Sequence, residues 1–466
     1  MNVLRRLTYA AFLALAFCLS ATAKDKRPPN VVIIFLDDSG YSDFHPFGKP
    51  TYPTPHVEKL ANNGMRLNRF CVPQAVCSAS RAALLSGCYP ERTKVFGAHG
   101  PGGRGLDPKY ATMAEMLKKA GYATAHFGKW HCGDQADTRP LARGFDEHAG
   151  LMYSNDMWRF HPSNKDPEDP KHWGKVPLQY WENGKVKIAR VNKEDQTMLT
   201  SWASDYSVDF IKRHKDKPFF LYLAHSMPHV PLFVSDKFAG KSGSGLYGDV
   251  IMEIDWSVGQ IMGELEKHGL TQDTLVLFSS DNGPWVSYGN HAGSTPFREA
   301  KGTSFDGGLR SATILHYPRM IPADSQLDEL IGSIDILPTI AGIVGCELPN
   351  NPVDGKDVWA VIATKNGAKN PHAYYPLTNG SNFEGVYSGD GRWKLHVTHQ
   401  YRSLMNAGKD GKPGSYEMKS IDLALFDMKT DPMESVNVLR EYPQVASKLK
   451  AIADEHYQRF WKKRSR

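Results

Sequence analysis

Four apolar stretches mark the chain, and each leads into polar side chains. Residues 31–36 read VVIIFL, 219–223 read FFLYL and 274–278 read TLVLF, while 123–127, ATAHF, is the weakest of the four. Unbroken runs rich in β-branched and aromatic residues predict strands buried on both faces, because a strand with one wet face would alternate. Segments around 55–66, 112–120, 199–214 and 248–268 have helical spacing. This alternation predicts an α/β fold with a large mixed, mostly parallel sheet flanked by helices. After about residue 365 the pattern changes. Short strand candidates at 385–387, 393–398 and 424–426 are separated by Gly- and Asp-rich turns, and a helical pattern covers 442–461. The expectation is a large domain over 24–365 and a smaller C-terminal α+β subdomain over 366–466, containing an antiparallel sheet.

The polar residues that end the apolar runs carry the chemistry. Open parallel sheets bind ligands beyond the carboxyl ends of their strands. The run at 31–36 is followed by Asp37-Asp38, and that at 274–278 by Ser279-Ser280-Asp281-Asn282-Gly283. The run at 219–223 leads into His225 and His229, and that at 123–127 into Lys129 and His131. If these strands are parallel neighbours, all of these groups meet at one edge. Asp37, Asp38, Asp281 and Asn282 offer only oxygen, which suits Ca²⁺ or Mg²⁺ rather than Zn²⁺. Either acidic pair alone would read as a turn or helix cap. Two of them after apolar strands favour a metal.

A further segment reads Cys77-Ser78-Ala79-Ser80-Arg81-Ala82-Ala83-Leu84-Leu85-Ser86-Gly87. Residues 82–85 favour helix and Gly87 stops it, so Cys77 lies near a helix N-terminus, where N–H groups and the dipole favour an anion. Arg81 is one turn on and faces the same way, placed to support whatever Cys77 carries. A plain thiolate is a poor partner for a hard-cation site, whereas an oxygen in place of the sulfur would suit it.

Composition adds context. At 466 residues, with 41% hydrophobic and 23% charged residues, the chain is that of an ordinary globular protein. The net charge of +6 does not point to nucleic acid. Its basic residues include Arg5 and Arg6 in a leader and Lys462, Lys463, Arg464 and Arg466 in a tail that reads as solvated. Arg5 and Arg6, the apolar residues 7–19 and Ala21-Thr22-Ala23 match a signal peptide over 1–23. The apolar stretch is too short to span a bilayer, so the expectation is an exported protein without stable membrane insertion. Export permits disulfides. Beyond Cys18, the odd number Cys71, Cys77, Cys88, Cys132 and Cys346 leaves one thiol over, and Cys77 is the candidate. The pairing of the other four stays open.

With these segments in place, the chain resembles the type I, formylglycine-dependent sulfatases, in the arylsulfatase A-like branch of the alkaline phosphatase superfamily. The family's modification motif, Cys-x-Pro-x-Arg followed by Leu-Leu-[Thr/Ser]-Gly, is matched at 77–87 except at Ala79, where proline is usual and alanine occurs in some members. Gly121-Tyr122-Ala123-Thr124 with Gly128-Lys129-Trp130-His131, the segments beginning at His225 and Lys301, Tyr153-Ser154-Asn155-Asp156, and 425–437 also resemble family segments. Asp306 stands where glutamate is common, a shortening expected to shift the packing of its loop.

The resemblance implies that a maturation enzyme converts Cys77 to formylglycine. It implies one Ca²⁺ held by Asp37, Asp38, residue 77, Asp281 and Asn282, and a site formed by Arg81, Lys129, His131, His229 and Lys301. Ser154 and Asp156 would support the sulfate. Hydrated to a diol, formylglycine would attack sulfur through one hydroxyl while His229 gives a proton to the leaving alcohol; His131 would then take the proton of the second hydroxyl, expelling sulfate and restoring the aldehyde. The substrate implied is a sulfated small molecule or, more specifically, a sulfated carbohydrate or glycan. Trp158, Trp173, Trp181 and Trp285 are candidates for stacking on sugar rings, with core packing the alternative for each. Two competing readings are a phosphate or phosphonate monoester hydrolase of the same superfamily and an inactive exported calcium-binding protein. Lys129 and Lys301, where many two-metal phosphatases place ligands, favour sulfate, and no catalytic side chain is missing.

Overall fold

The computed structural model describes residues 27–161, 176–364 and 367–462. The expected leader at 1–23, most of the basic tail and Trp173 lie outside them. The main sheet has ten strands among the described residues. At its centre lie β1 (Asn30–Leu36), β2 (Ala123–Lys129), β3 (Phe219–Ala224) and β4 (Thr274–Ser280). They are adjacent in the order β4-β1-β3-β2, and all are parallel. Glu147–Leu151 continues the parallel set beyond β2, and Ile314–His316 pairs antiparallel outside β4. Every residue of β1 to β4 is buried, as the unbroken apolar runs predict.

Side-chain alternation sorts the helices to the two faces of this sheet. Phe127 stacks on Tyr206 and also meets Phe210, both in the helix Lys193–His214. Its neighbour His126 points the other way, towards Trp130, Phe145 and Tyr222. Tyr222 meets Phe35, and Phe35 lies under the Arg81 guanidinium at 5.6 Å. The helix Cys77–Ser86 therefore covers the face opposite Lys193–His214. The expected helices appear as Pro55–Asn62, Met113–Lys119, Lys193–His214 and Gly245–Lys267, within a few residues of the sequence reading except at the start of Lys193–His214. That helix begins earlier because Asn192 and Asp195 form a capping box.

The C-terminal part is an antiparallel four-stranded sheet of Tyr374–Asn379, Asn382–Ser388, Trp393–His396 and Ala424–Asp427, with the helix Pro443–Phe460 against it and a two-stranded ribbon, His399–Asn406 with Ser415–Ile421. Val386, Leu395 and Leu425 bury against Ala446, Leu449 and Ala453 of that helix. The alternate positions Tyr387 and Phe426 turn to Val72, Phe305 and Leu309 of the large domain, so the joint is itself apolar. A buried ionic group crosses it. Asp306 Oδ1 accepts from Tyr387 at 2.7 Å and Lys394 at 2.9 Å, and Glu434 Oε1 accepts from the Asp306 amide at 2.7 Å and Lys394 at 3.0 Å. Residues of the subdomain thus hold Oδ1 of the short Asp306 side chain, while its Oδ2 is buried without a hydrogen-bond partner, and these bonds anchor the segment that follows Lys301. The five described cysteines are all free thiols, so the disulfides that export would permit are not formed among them.

A buried histidine pair under β2 gives an expected acid sensitivity. His126 Nε2 lies 3.3 Å from the Lys129 carbonyl, which can only accept, so His126 carries its proton there. Its Nδ1 then accepts from His148 Nδ1 at 2.9 Å. Burial holds His148 down at about 4 and His126 well below its ordinary value, against 6.5 for an exposed imidazole. Below pH 6.5 the unfolded chain takes up protons that these folded histidines refuse, so stability is lost as pH falls. For His148 the loss is at most about 1.4 kcal/mol per pH unit between 6.5 and about 4. Urea midpoints at pH 7 and pH 5 should show a smaller drop in His148→Gln than in the wild type. Equal drops would remove His148 as the cause.

Candidate active site

Because β4, β1, β3 and β2 are parallel neighbours, their carboxyl ends bring Asp281-Asn282, Asp37-Asp38, His225 to His229 and Lys129 to His131 together. Consecutive residues of an ideal strand point to opposite faces, so Asp37 and Asp38 need a break to share a centre. Asp38 supplies it, with a left-handed φ of 66°. His131 is turned in the same way, with φ 56°. Such angles are uncommon outside glycine and cluster at functional sites. Gly283 lets the Asp281 turn close up, since a Cβ there would fall 1.9 Å from the Gly307 carbonyl oxygen.

Cys77 opens its helix, and Val76 before it offers no side-chain cap. The thiol is buried and lies 3.7 Å from Lys301 Nζ. Burial pushes it up to about 12, although Lys129 and Lys301 pull the other way. Ligand atoms of Asp37, Asp38, Cys77 and His229 all lie within 4.8 Å of one another. Lys129 Nζ bonds Asp37 Oδ2 at 2.5 Å and the Ser154 hydroxyl at 3.2 Å. Lys301 Nζ bonds Asp38 at 2.7 Å. Arg81 meets Asp281 at 2.9 Å through both Nε and NH2, and its NH1 donates to the Lys129 carbonyl at 3.1 Å. Sequence placed Arg81 in support of the Cys77 group itself. In the structure its guanidinium braces the acids, and it acts on position 77 through them.

Three buried carboxylates, Asp37, Asp38 and Asp281, thus face three buried cations, Arg81, Lys129 and Lys301. Burial alone would raise Asp37, but Lys129, His229, Arg81 and Lys301 outweigh it and hold that carboxyl well below the usual range. Burial and the neighbouring Asp37 push Asp281 up to about 7. Asp37 Oδ1 and Asn282 Oδ1 are buried without a hydrogen-bond partner. Unpaired buried oxygens beside crowded acids fit a hard cation. An added dication would leave the group with a net positive charge, which suits an anionic substrate.

The two histidines are held in defined tautomers. His229 Nδ1 lies 2.5 Å from the Val230 carbonyl and must donate to it, leaving Nε2, 3.5 Å from Asp38, to exchange protons. His131 Nε2 donates to the His99 carbonyl at 2.8 Å, leaving a buried, unpartnered Nδ1. Burial, with Lys129 nearby, keeps His131 neutral by holding it well below its ordinary value. His225 turns away to Ser257 at 3.1 Å.

Above this cluster lies a cavity of about 490 Å³, lined by Cys77, His131, Ser154, Asp156, His229, Trp285 and Lys301 among others. Asn379, Gly380 and Arg402 of the C-terminal subdomain complete it. Sequence reading missed these three, since no local pattern ties them to the strand ends. Of the tryptophans, Trp285 lines the cavity, 4.2 Å from Lys301 Nζ and 5.4 Å from the His229 ring. Trp158 is buried and donates to the Val191 carbonyl, and Trp181 lies under Arg139, so neither lines it.

Comparison with known proteins agrees with this arrangement. The family model described as Sulfatase matches residues 29–346. Arylsulfatase A of Bos taurus is 33% identical over 452 residues, 94% of this chain and 88% of that protein. N-acetylgalactosamine-6-O-sulfatase of Bacteroides thetaiotaomicron is 29% identical, with 92% of this chain and 93% of that protein covered. The crystal structure of PsFucS1 sulfatase from Pseudoalteromonas sp. superposes with a TM-score of 0.84 at 26% identity, covering 97% of this chain and 95% of that one. Matches of this extent, spanning every strand end that meets at the acidic centre, place the chain in the sulfatase family, whose members hydrolyse sulfate esters.

Proposed function

We propose that this sulfatase cleaves the sulfate ester of a carbohydrate, using a formylglycine made from Cys77 by a maturation enzyme and one Ca²⁺ held by Asp37, Asp38, residue 77, Asp281 and Asn282. The observation that carries the reading is the Cys77 thiol itself. Pushed up to about 12, it is protonated at neutral pH and unfit as a nucleophile, yet it lies among hard oxygen ligands. Replacing its sulfur with oxygen removes both conflicts; the Sγ marks where that oxygen would stand. Once in place, Ca²⁺ would supply positive charge for the sulfate oxygens and formylglycine an oxygen nucleophile.

The chain's own side chains supply the rest. Lys129 and Lys301 present N–H donors where sulfate charge must be neutralised, with the Ser154 hydroxyl beside Lys129 and Asp156 on the cavity wall. His229 donates from Nε2 to the leaving alcohol oxygen, because its Nδ1 proton is committed to Val230. His131 accepts a proton at Nδ1, because its Nε2 proton is committed to His99. Arg81 keeps Asp281 and Asp37 in place. A sulfated sugar is favoured by the size of the cavity, by Trp285 on its wall and by the N-acetylgalactosamine-6-O-sulfatase relative. Since Trp285 touches Lys301 and His229, Trp285→Ala is expected to slow simple aryl sulfates as well as sugars. Export through a leader at 1–23 and the division at 365/366 belong to the same proposal. No helix of the described residues is long and apolar enough to cross a membrane.

Turnover of 4-nitrophenyl sulfate against 4-nitrophenyl phosphate tests the chemistry. Sulfate should be favoured by about a hundredfold or more in kcat/KM, or about 2.7 kcal/mol of transition-state binding. A preference for phosphate would turn the assignment to a phosphate ester hydrolase, and no turnover of either would favour an inactive relative.

A further inference from the structure

Arg402 stands out on the cavity wall. It lies on the strand His399–Asn406, and its NH2 donates to the Lys301 carbonyl. The guanidinium lies 4.7 Å from the Tyr416 ring, and its Nε is buried without a hydrogen-bond partner. No carboxylate among the described residues pairs with it, whereas Arg81, Arg92 and Arg143 hold Asp281, Asp354 and Glu115. A partly buried cation without a counter-charge is costly unless a ligand supplies one. Gly302 admits it, since a Cβ there would fall 2.3 Å from the Arg402 NH2. Because Arg402 holds the Lys301 carbonyl while Lys301 Nζ reaches Asp38 and Cys77, guanidinium and amine lie at opposite ends of the lysine side chain. Arg402 therefore reaches the cavity from the other end of Lys301, which leaves it placed to receive a group other than the sulfate at position 77.

We propose that Arg402 binds a second anionic group of the substrate, a carboxylate or a further sulfate, carried on the sugar beside the ester that is cleaved. The planar guanidinium fork matches the two oxygens of either group. This rests on the sulfated-carbohydrate reading and narrows it to multiply anionic glycans.

The test compares kcat/KM for 4-nitrophenyl sulfate and three oligosaccharides of matched length: one with a single sulfate, one with a sulfate and a uronic acid carboxylate, and one with two sulfates. The wild type should prefer a doubly anionic oligosaccharide to the singly sulfated one by about tenfold or more, the worth of a charged hydrogen bond. Which of the two it prefers identifies the second anion. Arg402→Gln, which loses the contact to Lys301 as well, should slow all four substrates but abolish that preference. Arg402→Lys, which keeps the charge without the fork, should restore part of it. A wild type that does not discriminate among the oligosaccharides overturns the proposal without reference to any variant's folding. So does an Arg402→Gln that slows all of them equally, which would leave Arg402 as a brace for Lys301. Turnover of the aryl ester with none of the oligosaccharides would remove the carbohydrate reading and this inference with it. No sulfate ester turned over at all would remove the catalytic reading first.

Discussion

Cys77→Ala should lower kcat by about 10⁴-fold or more, since removal of a nucleophile in other hydrolases leaves only what binding and electrostatics contribute. The expectation comes from the structure of the site. The Cys77 Sγ lies within 4.8 Å of the ligand atoms of Asp37, Asp38 and His229, and alanine fits the buried first turn of the helix. Cys77→Ser is the more informative partner variant. It places an oxygen at the same position but offers no thiol to a maturation enzyme that oxidises cysteine, so where mass spectrometry finds residue 77 still an unmodified hydroxyl it should fail almost as completely. Peptide mass spectrometry of active enzyme should find residue 77 lighter than cysteine by about 18 Da, the difference between CH₂SH and CHO. Full activity in protein whose residue 77 is entirely thiol would refute the formylglycine reading while leaving the fold and family untouched.

Chelation of the divalent cation should reduce turnover by about a hundredfold or more, reversed by adding Ca²⁺, because the ion contributes several kcal/mol of charge stabilisation to the transition state. Asp281→Asn should lower metal content and turnover together. It keeps the side-chain volume and one oxygen but removes the charge that balances Arg81. Asp281→Ala is predicted to do more, costing up to about 3–5 kcal/mol of folding stability because it removes the nearer carboxylate of a fully buried guanidinium and leaves it only Asp37 at 3.8 Å. Elemental analysis alongside thermal melting separates the two effects. Metal-free protein that retains full turnover would exclude a catalytic cation.

The strand ends explain why so much of this site could be read from the chain. Runs such as 31–36 and 274–278 are apolar throughout because both faces of the central strands are buried, so the first charged residues after them mark where the sheet stops and solvent or a ligand begins. Asp37, Asp38, Asp281, Asn282, Lys129, His131 and His229 were all visible in this way, and the Gly87 stop placed Cys77 at the start of its helix. That the strands are parallel neighbours was an inference from alternation, and hydrogen-bond register bears it out.

Other properties depend on contacts between residues remote in sequence. Whether Arg81 faces residue 77 or the acids turned on Asp281, 200 residues away. The left-handed turns at Asp38 and His131 use residue types that visit this region more readily than most, but that mild preference is shared by every Asp and His of the chain and does not single these two out. Trp158, Trp181 and Trp285 are alike as sequence, but the fold buries one, stacks one under Arg139 and exposes only the third to the cavity. The small C-terminal antiparallel sheet could be recognised by its short strands, yet its docking through Asp306, Lys394 and Glu434, which brings Arg402 against Lys301, arises only when two separately patterned units share one apolar joint. Local patterning determined where polar groups end strands and begin helices, because burial imposes a period on the sequence. Tertiary packing decided which of those groups touch, because contact partners far apart in the chain leave no such period.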